Sequence, residues 1–191
     1  MDVEDNQAII RADVNRLLQH NSMLPKAHQV DAYNEEISSD HGPGWRTFYL
    51  KVYNGWFDKN CALCPELCRL FNDMDEVITI MISIMEPGNV IPPHQGKLRG
   101  FIRYQLPLQV PVTGKCQITV GNETLDYQTG VSFLFDDNNT HSVVNQSNEY
   151  RVVLFLDVQK KAHPLIRSID RLIMKLVTLS PKFKKAKVYI T

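Results

Sequence analysis

The chain has 191 residues, 43% of them hydrophobic and 22% charged, which fits one domain with a packed core. Lys plus Arg is 21 and Asp plus Glu is 21, so the formal net charge is zero. That balance argues against nucleic acid as the main ligand, because phosphate binding rests on a basic surface.

The chain opens on Met1-Asp2-Val3-Glu4-Asp5, acidic where a secretory signal would be basic and then apolar, so a cytoplasmic location is expected. Ile10, Val14, Leu17 and Leu18 recur at helical spacing, with Asn6 or Asp5 placed to cap the start. Residues 20–44 are polar and irregular and close on His41-Gly42-Pro43-Gly44, a loop pattern. The period then changes. Trp45–Tyr53, Val77–Met85, Phe101–Leu108, Cys116–Val120, Val131–Phe135 and Tyr150–Val158 are short runs rich in β-branched and aromatic residues. Turn residues such as Glu86-Pro87-Gly88, Gly121-Asn122 and Thr129-Gly130 separate most of them. Six or more strands at this spacing predict an all-β sandwich or barrel. The longest apolar run, Val77–Met85, falls well short of the ~20 residues of a membrane-spanning helix, so no such span is expected. A last helix is predicted from Leu165, Ile166, Ile169, Leu172, Ile173 and Leu176, ended by Pro181.

Charge is unevenly spread along this order: −5 over residues 1–40, −3 over 41–150 and +8 over 151–191. The tail with Lys182, Lys184, Lys185 and Lys187 is either a solvated complement to the acidic N-terminus or a contact for an anionic surface.

Three of the four cysteines crowd into C-A-L-C-P-E-L-C, namely Cys61, Cys64 and Cys68; Cys116 stands apart. No second Cys or His pair follows at zinc-finger distance, and a thioredoxin-like βαβ context is absent. Packed thiols and a Cys61–Cys68 disulfide both remain open on the residues alone.

Two of the six histidines stand out by position. His94, in Ile91-Pro-Pro-His-Gln-Gly96, and His141, in Phe135-Asp-Asp-Asn-Asn-Thr-His141, lie 47 residues apart at strand ends or turns of the expected barrel. On neighbouring strands both imidazoles would point into one mouth, as in non-haem Fe(II) oxygenases; otherwise they are loop histidines. Arg103 and Arg151 follow them by nine and ten residues, both inside strands. An arginine among Val152, Val153, Leu154 and Phe155 is costly unless an anion meets it. A dicarboxylate would serve, held bidentately; so would a salt bridge to Asp126 or Asp157, or an outward-facing position.

Taken together in order, Gly44-Trp45…Phe48, Ser83-Ile-Met85-Glu-Pro-Gly88, Pro92-Pro-His94-Gln-Gly96, Arg103, Gly121-Asn-Glu-Thr124, Gly130…Phe135-Asp-Asp137…His141 and Tyr150-Arg151 through Val158 resemble the aspartyl/asparaginyl β-hydroxylases. These are Fe(II)- and 2-oxoglutarate-dependent oxygenases on a double-stranded β-helix. The resemblance implies a mostly β, jelly-roll or cupin-like domain over residues 41–160. An N-terminal helical or irregular segment, 1–40, would pack on it, and a C-terminal helix with its basic tail, 161–191, would follow.

Carried over by position, it implies that His94 and His141 bind iron. Arg151, helped by the Ser83 hydroxyl, would grip the distal carboxylate of 2-oxoglutarate, and Arg103 the carboxylate beside the keto group. Asp137 would orient an iron-bound water, while Trp45 and Met85 would line the pocket. The family also places a disulfide at the spacing of Cys61 and Cys68. Gly96 stands where the common H-x-D pattern puts a carboxylate ligand; within the family water fills that place, and in iron halogenases a halide does. Gln105 replaces a histidine that usually contacts the cosubstrate, and an amide can still donate a hydrogen bond but carries no charge. The implied reaction consumes O2 and 2-oxoglutarate and hydroxylates an unactivated carbon, by family analogy the β-carbon of Asp or Asn in a protein or peptide. Small-molecule or lipid hydroxylation, halogenation at the same iron, and an inactive cupin-like binding protein remain rival readings.

Overall fold

Residues along a strand alternate between its two faces, so a strand that is apolar on every position must be covered on both sides. The structure, a computed structural model, describes residues 3–19, 24–30, 34, 37–38, 44–96, 100–160 and the single positions 172, 176 and 179. In chain order its elements are α1 (Gln7–Leu18), α2 (Ala27–Val30), β1 (Trp45–Val52), β2 (Gly55–Trp56), α3 (Asp58–Cys61), α4 (Pro65–Leu70), β3 (Val77–Met85) and β4 (Val90–His94). There follow β5 (Phe101–Gln109), β6 (Lys115–Val120), β7 (Glu123–Asp126), β8 (Phe133–Phe135), β9 (His141–Gln146) and β10 (Arg151–Gln159).

The strands form two antiparallel sheets. The larger has the order β2-β1-β3-β10-β5-β8 and the smaller β4-β9-β6-β7. Their side chains meet in a cluster of Met85, Ile91, Cys116, Ile118, Tyr127, Phe135, Val143 and Val153. This is the jelly-roll architecture expected from the sequence.

The larger sheet is buried on both faces. Ile80, Ile82 and Ile84 of β3, Val152, Leu154 and Leu156 of β10, and Leu106 and Leu108 of β5 pack with Ile10, Val14 and Leu17 of α1 and Leu67 and Leu70 of α4. Burial of each such side chain contributes about 1.5–3 kcal/mol. The intervening residues of the same strands turn to the space between the sheets, so β3 is buried at all nine positions. Helices on one face therefore leave the other free for polar side chains.

The helix predicted from Ile10, Val14, Leu17 and Leu18 is α1, with Leu18 only half-buried and neither Asn6 nor Asp5 making a side-chain cap bond. Asp13, which the apolar pattern passes over, is fully buried on that helix. Its Oδ2 accepts the backbone N–H of Leu67 at 2.8 Å in the first turn of α4, and Oδ1 pairs with Arg16. Four N–H groups of a helix start lack partners, so this carboxylate ties α1 to α4.

Cys61 and Cys68 are joined as a disulfide, while Cys64 and Cys116 are buried thiols, the former pushed up to about 12 by burial. Of the predicted C-terminal helix, Leu172, Leu176 and Leu179 are helical and exposed; the remaining residues of 161–191 lie outside the described residues. No helix among the described residues is long and apolar enough to cross a membrane.

Replacing Asp13 by Ala should lower stability by about 2 kcal/mol, because a buried N–H on α4 loses its acceptor. Urea denaturation reads this as a fall in midpoint at constant slope; an unchanged midpoint would remove Asp13 from the helix–helix contact.

Candidate active site

Antiparallel register decides which side chains meet, because directly opposed residues share a face. Met85 lies opposite both Trp45 and Arg151, and Ser83 opposite both Thr47 and Val153. Further along, Gln105 is opposite Phe155 and Phe133, and Arg103 opposite Asp157 and Phe135. On the facing sheet His94 of β4 and His141 of β9 are direct partners, with a bulge at the two prolines between Ile91 and His94. Eight of the nine residues singled out from the sequence are placed by this register; the ninth, Asp137, lies in the turn before β9.

The two histidines sit within strands rather than in loops, at the last position of β4 and the first of β9. Their ring centroids are 4.2 Å apart. Nδ1 of His94 is 2.8 Å from the Pro92 carbonyl oxygen, and Nδ1 of His141 is 2.9 Å from that of Asn139. A carbonyl only accepts, so each Nδ1 carries the proton and each Nε2 keeps its lone pair. Metal-binding histidines are held in this way, with the distal nitrogen bonded to a carbonyl or carboxylate. His141 is 4% exposed, and burial pulls its pKa down to about 4, with the Asn139 bond opposing and the charges of His94 and Arg103 adding to the fall. It is therefore a neutral donor at ordinary pH.

Asp137 completes this corner. Its Oδ1 lies 3.4 Å from Nε2 of His141 and pairs with Nη1 of Arg103. The Gly96 N–H donates to the Asp137 backbone oxygen at 2.7 Å, and a Cβ built on Gly96 would fall 1.7 Å from Asp137 Oδ2. The carboxylate of Asp137 fills the space that a side chain at 96 would take. Arg103 also bonds Asp157 through Nε at 3.1 Å and stacks 4.1 Å over the Phe155 ring. Burial pushes the Asp157 carboxyl up while Arg103 opposes the shift. Arg103 therefore meets two acids, one of them an alternative left open by the sequence.

Arg151 is different. It is 2% exposed, its Nη1 and Nη2 reach only the hydroxyls of Ser83 and Tyr127, each at 3.4 Å, and its Nε has no partner. Its guanidinium carbon lies 4.8 Å over the Tyr127 ring. Among the described residues no carboxylate pairs with it, and a buried charge left so is costly. Ser83 Oγ accepts from Trp45 Nε1 at 2.9 Å as well as from Arg151, so its own proton is available to an incoming acceptor. An anion placed here would meet both unfilled donors.

Fe(II) fits the donors that the chain presents: two imidazoles whose Nε2 atoms are not taken by the backbone, a carboxylate beside them, and the rest left to water or small ligands. No grouping of three His, Cys, Asp or Glu suited to a metal occurs among the described residues, so the two imidazoles are the protein donors this corner offers. Tyr127 is the residue that sequence reasoning missed. It is 5% exposed, and its hydroxyl donates to Gln105 Oε1 at 2.8 Å. It stands alone in the polar stretch Asp126-Tyr127-Gln128-Thr129, where no periodicity marks an aromatic as inward-facing.

Comparison with known proteins gives the family. The chain is 31% identical over 185 residues to the ornithine lipid ester-linked acyl 2-hydroxylase of Rhizobium tropici, covering 96% of this chain and 65% of that protein. It is 30% identical over 145 residues to aspartate beta-hydroxylase domain-containing protein 2 of Xenopus tropicalis, covering 71% and 38%. To the human aspartyl/asparaginyl beta-hydroxylase it is 30% identical over 142 residues, covering 72% and 18%. The chain thus spans less than two thirds of the length of each relative. Among solved structures it is similar to a cupin domain of an Enterobacter cloacae transcriptional regulator, at 12% identity and a TM-score of 0.43, covering 61% of this chain and 98% of that one. With residues 4–161 matching the profile of the aspartyl/asparaginyl beta-hydroxylases, the chain belongs to that family.

Proposed function

We propose that this chain is an Fe(II)- and 2-oxoglutarate-dependent dioxygenase that hydroxylates an unactivated carbon, with the acyl chain of a lipid as the favoured substrate. The observation that carries the cosubstrate reading is the buried, acid-free guanidinium of Arg151, which calls for an anion between the sheets. His94 and His141 would hold the metal through Nε2. When bound, Fe(II) with 2-oxoglutarate and O2 supplies the oxidation of a C–H bond to C–OH, releasing succinate and CO2.

The chain's own residues do the rest. Arg151 and the Ser83 hydroxyl bind and orient the distal carboxylate, and Trp45 fixes the Ser83 oxygen by donating to it. Met85, fully buried between Trp45 and Arg151, keeps water from that end. Arg103 holds Asp137 beside His141, where its carboxylate can orient a water on the metal. Asp137 fills the space that a side chain at 96 would take, so a carboxylate there comes from 137 rather than from 96.

The substrate reading rests on breadth of similarity. The rhizobial acyl hydroxylase matches nearly the whole chain, whereas the human aspartyl/asparaginyl beta-hydroxylase matches 142 residues. The β-carbon of Asp or Asn in a protein is the second reading, favoured by the family profile itself.

With Fe(II), 2-oxoglutarate and chloride present, an ornithine-containing lipid should gain one oxygen and no chlorine by mass spectrometry, with succinate formed in equal amount. His94→Ala and His141→Ala should abolish both products, and Arg151→Leu should raise the KM for 2-oxoglutarate by about a hundredfold or more, the scale of removing one partner of a buried charge contact. Chlorinated product, or Arg151→Leu turning over normally, would sink the assignment.

The metal-free protein should also lose stability as pH falls from about 6.5 to about 4. Unfolded chains take up a proton at His141 in that window, and the folded protein refuses it. Urea midpoints at pH 7 and 4.5 should differ less in His141→Gln than in the wild type; an equal difference would place the imidazole in a solvated setting.

A further inference from the structure

Gln105 is an unexpected residue for an anion site, since it brings no charge. It lies on β5, 4% exposed, and points its Oε1 at the Tyr127 hydroxyl 2.8 Å away. Among the described residues no acceptor meets its amide nitrogen. Tyr127 in turn is fixed by its backbone N–H, which donates to the Cys116 carbonyl at 3.0 Å, and by Phe133, whose ring centroid is 5.6 Å from its own.

The direction of the hydrogen bonds follows from donor chemistry. A guanidinium only donates, so Arg151 Nη2 takes a lone pair of the Tyr127 oxygen. The phenol is thereby left to donate its proton, and Gln105 Oε1 accepts it. Burial pushes the Tyr127 phenol up, so that proton stays in place. The Gln105 oxygen is occupied and its NH2 group faces away from Tyr127.

We propose that Tyr127 is a positioning residue of the cosubstrate site. Its hydroxyl relays the polarity of Arg151 to Gln105 and locks that neutral amide with its N–H donors presented to a carboxylate of the keto-diacid. Without the hydroxyl, the amide is free to rotate and offers oxygen or nitrogen indifferently, and an oxygen facing a carboxylate is repulsive. The inference deepens the proposed function and rests on it. Arg151 Nε is without a partner, and Tyr127 links that guanidinium to the Gln105 amide.

Calorimetric titration of 2-oxoglutarate into the Zn(II)-loaded protein reads binding without turnover, because Zn(II) has no redox chemistry. Tyr127→Phe and Gln105→Leu should each weaken binding about tenfold, the scale of one hydrogen bond to a charged partner. The double variant should bind no more weakly than either single one, because the two side chains act as a unit. Additive losses would mean that Tyr127 only packs, and unchanged binding by Tyr127→Phe would overturn the relay outright. Should Tyr127→Phe fail to fold, Gln105→Glu decides: it keeps the bond from Tyr127 but offers no N–H, so it must bind at least tenfold more weakly, and equal binding overturns the proposal. If the wild-type protein takes up no 2-oxoglutarate, the functional reading fails and the relay with it; wild-type binding that ignores both variants removes the relay alone.

Discussion

A guanidinium enclosed between two sheets, with no acid paired to it among the described residues, is the constraint around which the site is arranged. Arg151 has two hydroxyls at long range and an aromatic face beneath it, and these offset only part of its desolvation. A fold under selection for stability alone would place an apolar residue among Val152, Val153 and Leu154. Keeping the charge makes sense where an anionic ligand repays the deficit on binding. The contrast with Arg103 is instructive: the same residue type, also on the inward face, is saturated by Asp137 and Asp157. One arginine is held by acids, and the other meets none among the described residues.

The larger sheet makes that charge possible by dividing its labour along the period of two. Ile80, Ile82 and Ile84 anchor β3 to the helices, while Met81, Ser83 and Met85 between them face the smaller sheet. The anchoring face supplies enough burial to carry the polar cost on the other. The helices matter to function through this route, and Asp13 helps by tying α1 to α4 without touching the site.

Much of this was legible in the sequence, and what was hidden was hidden for physical reasons. The strands rich in Val, Ile and Phe announce themselves by composition, and β1, β3, β5 and β10 lie where they were expected. β4 carries Pro92 and Pro93, which read as a break; an edge strand tolerates proline because its outer N–H groups need no partner, and β4 is an edge of its sheet. β9 alternates perfectly in burial, but two of its inward residues are His141 and Asn145, so its period is invisible to a hydrophobicity count. The residues alone therefore leave the two histidines open between strand ends and loops, and the register makes them cross-strand partners. Asp157 as a partner for an arginine was foreseeable from its place in β10, yet which arginine it would meet depends on the pairing of β10 with β5, which no local pattern encodes.

The missing carboxylate after His94 takes on a different meaning in three dimensions. Along the chain, Gly96 looks like a loss relative to oxygenases that carry an acid there. In space, a side chain at 96 would collide with Asp137 Oδ2 at 1.7 Å, and the Gly96 N–H is itself bonded to the Asp137 backbone. Glycine is needed at 96 because a carboxylate from the turn between β8 and β9 already stands there, held by Arg103. The absence at 96 and the acid at 137 are therefore one arrangement, and neither residue can be changed alone without disturbing the corner where His141 presents its nitrogen. An acid delivered from this side lies beside the imidazole pair with its charge already shared with a guanidinium. That makes it a weaker donor than a free aspartate and better suited to steering a water than to gripping an ion.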